Sequence, residues 1–207
     1  VVIQAPTLSL LKSTNPVPLG ADDPVPLDDT PEDEIEGTAV VLNAAVSDPG
    51  GGDTHSYLWE VSASNGQEVE EGIGPSFSFV PEDEGLYTVT VTVTDDQGAS
   101  GSDTIEVDVA NAPPQDLLIG GVPAEGTAAE GSEIALTGSF SDPGTLDTHT
   151  ILWEVELGST VVASGTDANF SFVPTDDGDH TVTYTVTDND GGVGVTSVVI
   201  PDRKSVV

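Results

Sequence analysis

An internal duplication constrains the fold of this 207-residue chain more than any other feature. The segment Leu58-Trp59-Glu60-Val61 returns 94 residues later as Leu152-Trp153-Glu154-Val155. Further along, Phe77-Ser78-Phe79-Val80-Pro81 returns 93 residues later as Phe170-Ser171-Phe172-Val173-Pro174. Ordered matches with one single-residue deletion are typical of repeated structural units. The sequence therefore predicts two homologous domains.

The duplication also sets the expected domain boundaries. An acidic, proline-rich stretch precedes the first repeat, and prolines and like charges favour an extended, semi-rigid segment over a packed one. We predict an extended strand plus this linker over residues 1–35, a first domain over 36–110, a linker over 111–113, a second domain over 114–201 and a tail over 202–207.

Within each repeat, apolar and polar residues alternate with a period of two. Thr88 to Thr94 alternates threonine and valine, and Thr181 to Thr187 does the same with Tyr184 at the centre. This alternation predicts half-buried strands with one apolar face. About seven short strands per repeat, separated by turn residues, favour an all-β fold of two tandem immunoglobulin-like β-sandwiches. Trp59 and Trp153 are the expected centres of the two cores.

Two stretches carry a family resemblance. The first repeat contains Tyr57-Leu58-Trp59-Glu60 and the run from Gly85 to Gly98, and the second repeats that run from Gly178 to Gly191. These residues resemble the polycystic kidney disease (PKD) domain, an immunoglobulin-like sandwich found in tandem arrays of bacterial extracellular proteins. The chain lacks the glycine-aspartate-glycine turn of that family after the tryptophan, and His180 stands where the first repeat has Tyr87.

The charge of the chain is extremely one-sided. No lysine or arginine occurs between Lys12 and Arg203, and the 37 acidic residues leave a formal net charge of -34. Such a chain repels itself unless salt or bound cations neutralise it. Nucleic acids and anionic membranes require a basic surface, so neither is an expected partner. The lack of cysteine excludes disulfides and thiolate metal sites.

Acidic residues recur at equivalent turns of both repeats. In an immunoglobulin-like sandwich, the turns after the second and sixth strands lie at the same end as the incoming linker. We therefore expect the acids of these segments to converge on Ca²⁺, which prefers about six to eight oxygen ligands. The candidate ligands are Glu36, Asp48, Asp53, Asp95 and Asp96 in the first repeat, and Glu130, Asp142, Asp147, Asp188 and Asp190 in the second.

Other interpretations compete with a calcium site. Aspartates in turns commonly accept hydrogen bonds from their own backbone and bind nothing else. His55 and His149 stand beside candidate ligands, but a histidine bonded to a loop carbonyl is favoured over a metal ligand. The turn from Pro81 to Gly85 is expected at the opposite end of the first domain, where it would add carboxylates to the junction with the second. No nucleophile motif or cleft carboxylate pair indicates catalysis.

The leading functional hypothesis is a non-enzymatic, extracellular or cell-surface structural module: a spacer, an adhesin stalk, or a subunit of a surface layer or filament, rigidified by calcium. The alternative is a carbohydrate- or protein-binding accessory module of a secreted enzyme. A third interpretation treats the acidity as adaptation to high salt without a specific site.

Two interpretations of the ends are open, and both expect head-to-tail neighbours. The chain is either a window cut from a longer array or a processed subunit. In the second case the segment Val1 to Lys12 adds as a β-strand to the sheet edge of a neighbouring subunit.

Overall fold

A computed structural model describes residues 7–12, 34–47, 53–123 and 130–202, with no description of the side chains of 7–12 and 202. Every regular element in these ranges is a strand, which confirms the all-β prediction. The strands are β1 (Thr7–Lys12), β2 (Glu34–Ile35), β3 (Val40–Ser47), β4 (His55–Ala63), β5 (Ser76–Phe79), β6 (Gly85–Asp95), β7 (Ser100–Ala110), β8 (Gln115–Gly120), β9 (Ile134–Ser141), β10 (His149–Leu157), β11 (Thr160–Gly165), β12 (Asn169–Phe172), β13 (Gly178–Asp188) and β14 (Val193–Asp202). A helix long and apolar enough to cross a membrane is absent from the described ranges.

The chain divides into two compact units, residues 1–111 and 112–207. In the first, a three-stranded sheet of order β1-β3-β5 faces a four-stranded sheet of order β2-β7-β6-β4. The valines of β6 are fully buried, as the alternation predicts, and its threonines lie on the opposite face. Trp59 is fully buried, stacks on Phe77 at 5.5 Å between ring centroids, and donates its indole N–H to the Gly74 carbonyl at 2.7 Å.

The first domain contains more of the chain than the predicted range of 36–110. Thr7–Lys12, predicted to lie outside the sandwich, pairs antiparallel with β3 of the same domain. Glu34–Ile35 pairs parallel with Val109–Ala110 at the end of β7. The physical reason is that an edge of β3 left open would expose unpaired backbone groups, and β1 pairs with them. Residues 1–6, the acidic linker over 13–33 and the tail over 203–207 lie outside the described residues.

The second domain repeats this architecture with sheets of order β12-β9-β8 and β11-β10-β13-β14. Its core contains Trp153 and Tyr184, both fully buried, with ring centroids 4.4 Å apart. The β10–β11 register shifts between Val155 and Glu156, within the region where the offset between the repeats changes from 94 to 93 residues. In the first domain, the counterpart of β11 is an isolated antiparallel bridge between Trp59 and Gly72.

Candidate functional site

At one end of the first domain, Asp95 organises the turn between β6 and β7. Its carboxylate is 7% exposed, and its Oδ1 accepts the backbone N–H groups of Gln97 at 2.9 Å and Ala99 at 2.8 Å. Asp53 lies beside this turn, because its Oδ2 accepts a hydrogen bond from Gln97 Nε2 at 3.2 Å. Asp96 is exposed, and Asp48 lies outside the described residues. The structure therefore brings Asp53 and the turn together, with Asp95 acting as a turn aspartate.

The second domain has the same arrangement at the equivalent end. Asp188 is 5% exposed, and its Oδ1 accepts the backbone N–H groups of Asp190 at 3.0 Å and Gly192 at 2.7 Å. The neighbouring loop is attached to this turn, because Thr148 donates its N–H to Asn189 Oδ1 at 2.7 Å. In both turns, therefore, an aspartate side-chain oxygen accepts the backbone N–H groups of the turn, as in an Asx turn.

His149 has a different partner from the one the sequence suggested. The predicted hydrogen bond from His149 to a loop carbonyl is wrong, because the Nε2 of His149 lies 2.7 Å from Asp142 Oδ2. The imidazole also packs against Phe140 at 4.7 Å between ring centroids. Asp142, Asp147 and His149 each present one potential ligand atom within 4.8 Å of the other two. This second-domain group combines two carboxylates with one nitrogen ligand.

Glu36 lies at the other end of the first domain, so its predicted convergence with Asp53 and Asp95 is wrong. Its N–H donates to the Ala110 carbonyl at 3.2 Å, at the end of β7, and Gly37 donates to the Pro81 carbonyl at 2.8 Å. The 11-residue β6 separates this end from Asp95 by roughly 33 Å. The reason is the parallel pairing of β2 with the end of β7, which no sequence periodicity reveals.

The predicted convergence of Glu130 with Asp142 and Asp188 is also wrong. Gly131 donates its N–H to the Pro174 carbonyl at 2.9 Å, which places Glu130 beside the turn that precedes β13. Asp142 and Asp188 lie at the opposite end of the second domain, where β9 and β13 finish. Glu130 is exposed and does not join the predicted group.

Three carboxylates, including that of Glu36, gather at this end of the first domain. Oxygen atoms of Glu36, Asp83 and Glu84 lie within 4.8 Å of one another, and the Glu36 side chain is 1% exposed. We call these three residues the carboxylate cluster. Asp83 Oδ1 is buried and accepts no hydrogen bond from the described part of the chain. Like charges at this separation repel one another, so the cluster favours a bound cation.

A hydrogen-bond network around Tyr87 positions the cluster. Asn65 Nδ2 lies 2.7 Å from the Tyr87 hydroxyl, 3.1 Å from the Asp83 carbonyl and 2.9 Å from the Glu84 carbonyl. The Tyr87 hydroxyl also lies 2.7 Å from Gln67 Oε1. Burial raises the pKa of Tyr87, the Asn65 hydrogen bond opposes this shift, and the Asp83 charge adds to it. We call Asn65, Gln67 and Tyr87 the tyrosine network.

Sequence reasoning missed both the tyrosine network and the way it supports the cluster. An Asn-Gly pair such as Asn65-Gly66 is typical of a hairpin turn, and Gly66 adopts a positive φ of 86°. In the sequence, Tyr87 stands out only as part of the family resemblance. A useful signal was present, since a polar aromatic residue at the start of an otherwise apolar buried stripe needs a partner for its hydroxyl.

Two immunoglobulin-like sandwiches in tandem, without a catalytic constellation in the described residues, define the class of this protein as a modular β-sandwich chain. Two family models then identify the modules. A "K319L-like, PKD domain" model matches residues 33–109, and a "PKD domain" model matches residues 118–200. The chain belongs to the PKD domain family, which confirms the predicted tandem repeat. PKD domains are generally non-catalytic modules.

Part of the chain is similar to a bacterial protease precursor. Over 84 residues it is 42% identical to the pre-pro-metalloprotease PrtV of Vibrio cholerae serotype O1, strain M66-2, and this match covers 40% of the chain but 8% of the relative. The solved PKD1 domain of Vibrio anguillarum Epp is 26% identical, with 52% of this chain and 95% of that one covered and a TM-score of 0.34. The solved PKD1 domain of Vibrio cholerae PrtV is 25% identical, with 51% of this chain and 98% of that one covered and a TM-score of 0.34.

Proposed function

We propose that this tandem pair is a non-enzymatic structural module of an extracellular or cell-surface protein, and that calcium stiffens it. Membership in the PKD family supports the non-catalytic role. Similarity to a pre-pro-metalloprotease supports an extracellular location, because a pre-segment directs secretion. The observation that carries the calcium proposal is the carboxylate cluster of Glu36, Asp83 and Glu84.

The donor chemistry of the carboxylate cluster suits Ca²⁺. All three side chains offer hard oxygen ligands, which Ca²⁺ prefers over nitrogen or sulfur. The chain carries 37 acidic residues against three lysines and arginines, so its clustered carboxylates attract cations from solution. The tyrosine network holds the backbone of Asp83 and Glu84, which reduces the entropy lost when these ligands are fixed on an ion.

The group of Asp142, Asp147 and His149 is a weaker calcium candidate. The imidazole nitrogen of His149 is a softer ligand, and its short contact with Asp142 engages one carboxylate already. Calcium at Asp53, Asp95, Asp96, Asp188 and Asp190 stays a prediction, and so does a role of the cluster at the junction with the second domain.

Thermal melts test the calcium proposal. We expect Ca²⁺ to raise the melting temperature of the first domain, because a ligand at 100 times its Kd stabilises by about 2.7 kcal/mol. The chain has one tryptophan per domain, so fluorotryptophan labelling gives one ¹⁹F signal for each. Mg²⁺ should have a smaller effect, since it tolerates irregular oxygen geometry poorly.

Matched variants make this test specific. Glu36→Gln with Asp83→Asn should abolish the calcium-dependent shift. Glu130→Gln with Asp176→Asn changes the same net charge at the equivalent, exposed positions of the second domain and should leave the shift intact. If EDTA leaves the melting temperature unchanged while molar NaCl raises it, the acidity serves general screening and the calcium proposal fails.

The PrtV similarity favours a second candidate function, an accessory module that binds protein or carbohydrate for a secreted enzyme. Trp59 and Trp153 are fully buried, so neither provides a sugar-stacking surface. Co-sedimentation with insoluble collagen, chitin and cellulose tests this candidate directly. Retention on one of them would favour the accessory role over the spacer role.

A further inference from the structure

The turn after β4 contains a pair of residues that is prone to chemical modification. Asparagine is a thermolabile residue, and of the six asparagines in the chain only Asn65 precedes a glycine. Glycine has no side chain to hinder its backbone nitrogen, and it reaches conformations that other residues rarely adopt. Gly66 is exposed, and nothing lies within 4 Å of the position that a Cβ atom would occupy there. The pair is therefore the sterically least hindered site for asparagine deamidation in this sequence.

Deamidation of Asn65 requires only its own neighbour and water. The backbone nitrogen of Gly66 attacks Cγ of Asn65, so that a C–N bond forms and a cyclic imide results. The bond between Cγ and Nδ2 breaks, and the displaced NH₂ group takes up the proton of the attacking nitrogen and leaves as ammonia. Water then opens the imide at one of its two carbonyls, which gives aspartate or isoaspartate. The product carries a carboxylate where the chain had a neutral amide.

In the folded first domain, hydrogen bonds fix both polar atoms of the Asn65 side chain. Its Nδ2 lies 2.7 Å from the Tyr87 hydroxyl. The same nitrogen donates to the carbonyls of Asp83 at 3.1 Å and Glu84 at 2.9 Å. Its Oδ1 accepts the backbone N–H of Gln67 at 2.9 Å. Rotation of the amide toward the following backbone nitrogen would break these contacts, so the folded state holds the target of the attack in place.

The attacking nitrogen is also engaged in the folded state. Gly66 donates its N–H to the Ala63 carbonyl at 3.2 Å, which restrains the nitrogen and its proton. The contacts of Nδ2 join positions 18, 19 and 22 residues apart in the sequence, so they exist only while the turn before β6 packs on this hairpin turn. Opening of this end of the domain therefore releases the amide from three contacts at once.

We propose that Asn65 is a latent deamidation site, which the folded first domain protects and which reacts when this end of the domain opens. Local opening of a hydrogen-bonded turn is a rare event in the native state, and the reaction proceeds only during such events. Because the loss of ammonia is irreversible, the modification accumulates with time. This inference goes beyond the proposed function, which does not depend on it.

The modification also prevents the turn from forming again. A carboxylate at position 65 only accepts hydrogen bonds, and so do the carbonyls of Asp83 and Glu84 that Nδ2 now contacts. Acceptors would then face acceptors without a proton between them, and an unsatisfied polar group is costly. The added negative charge would also lie close to the carboxylate cluster, where like charges repel.

The second domain lacks this site. Its hairpin between β10 and β11 turns at Gly158, which has a φ of 65° and follows Leu157. Leucine has no amide group that a backbone nitrogen could displace. The two domains therefore differ in chemical ageing, and only the first contains an asparagine followed by glycine.

Peptide mass mapping measures the reaction at this residue. The full chain is kept in EDTA in warm, mildly alkaline buffer, folded in one sample and in concentrated urea in the other, and is then cut with a glutamate-specific protease. We expect Asn65 to deamidate at least about tenfold faster in urea. The other asparagines precede proline, alanine, phenylalanine or aspartate and should react slowly in both samples. Equal rates at Asn65 in the two samples would overturn the proposal.

Tyr87→Phe separates protection by the fold from reactivity of the sequence. It removes one contact of Nδ2 and should raise the rate at Asn65 about threefold or more in the folded sample. The rate in urea should stay the same, since the unfolded chain does not hold these residues together. Tyr184→Phe is the matched control in the second domain and should change neither rate. The ¹⁹F tryptophan signals verify that both variants are folded, and an unchanged folded-state rate in Tyr87→Phe would overturn the proposal.

Asn65→Asp reproduces one product of the reaction. It should lower the melting temperature of the first domain, followed by the ¹⁹F signal of its tryptophan. Asn43→Asp is the matched control, because Asn43 Oδ1 accepts a hydrogen bond from Ser76 Oγ at 2.8 Å and a carboxylate keeps this role. It adds the same charge to the same domain and should shift the melting temperature less. Equal shifts in the two variants would contradict the loss of the turn after deamidation.

Discussion

The turns that precede β6 and β13 occupy equivalent places in the two domains but differ in their hydrogen bonding. In the first domain, the buried Tyr87 hydroxyl joins Asn65 and Gln67, and together they bind three backbone carbonyls of the turn, those of Val80, Asp83 and Glu84. In the second, His180 takes the place of Tyr87 and its Nδ1 lies 3.2 Å from the Gly178 carbonyl. Because a carbonyl oxygen only accepts, Nδ1 is the donor in this contact.

Two domains with the same strand arrangement therefore differ in the polar groups buried at this turn. A shallow cavity of about 290 Å³ lies beside His180, lined by Phe170, Phe172 and Val173 among others. The acids of the second turn are also more dispersed, since Asp176 and Glu130 are both exposed. Carboxylates gather where the tyrosine network supports the turn, and they do not gather where it is missing.

The largest expected effect comes from removing the centre of the tyrosine network. Asn65→Ala removes hydrogen bonds to three acceptors and should destabilise the first domain by about 2 to 4 kcal/mol. Gln97→Ala is the control at the other end of the same domain, where one contact to Asp53 is lost, and should cost about 1 kcal/mol or less. Urea unfolding followed by the two ¹⁹F tryptophan signals measures each domain separately. Equal losses in the two variants would contradict the role assigned to the network.

A somewhat smaller loss of stability is expected from overpacking the core of the second domain. Gly138 accommodates the ring of Tyr184, and a Cβ atom added at Gly138 would lie 2.4 Å from a ring carbon. The first domain has Ala44 and Val91 at these two positions. Gly138→Ala should therefore destabilise the second domain by about 1 to 3 kcal/mol through overpacking.

A double-mutant cycle sharpens this core comparison. Adding Tyr184→Val to Gly138→Ala recreates the pair of the first domain and should recover part of the loss, because the steric conflict is removed. The cycle is measured from the same urea transitions. Strictly additive effects would show that the two residues do not compensate each other.

Removing the hydroxyl groups of the two buried tyrosines should change stability less, and in opposite directions. The Tyr184 hydroxyl is buried without a hydrogen-bond partner in the described ranges, whereas the Tyr87 hydroxyl is fully engaged. Tyr184→Phe should leave the second domain unchanged or stabilise it by up to about 1 kcal/mol, while Tyr87→Phe should destabilise the first by about 1 to 2 kcal/mol. Calorimetry with both variants tests this opposite sign. A loss of stability in Tyr184→Phe would show that its hydroxyl has a partner.

Alkaline pH should have the smallest effect on the stability of the two domains. Burial raises the pKa of both Tyr87 and Tyr184 above the ordinary value of 10.0. The folded state then keeps its phenol protons at a pH where the unfolded state releases them, so stability should decline above about pH 10. Unfolding midpoints at about pH 9 and 11 measure the decline. Tyr184→Phe should reduce it in the second domain only, and an unchanged decline would contradict this assignment.

The sequence predicted the features that repeat, and it failed on those that depend on partners distant in the chain. Alternation in Thr88 to Thr94 reveals a buried stripe because neighbouring residues alone determine it. The position of Glu36 depends on which strand β2 joins, and a two-residue strand leaves no periodic pattern. The His149 contact depends on the loop that carries Asp142, so residue spacing could not distinguish a carboxylate partner from a carbonyl.

The lack of basic residues has a further consequence for resistance to proteolysis. Trypsin-like proteases cleave after lysine or arginine, and every strand from β2 to β14 lies between Lys12 and Arg203 without an intervening cleavage site. Most folded domains resist such proteases only while they stay folded, since transient unfolding exposes their cleavable bonds. The strands from β2 to β14 need no such protection, because even the unfolded chain offers those enzymes no bond to cut between Lys12 and Arg203.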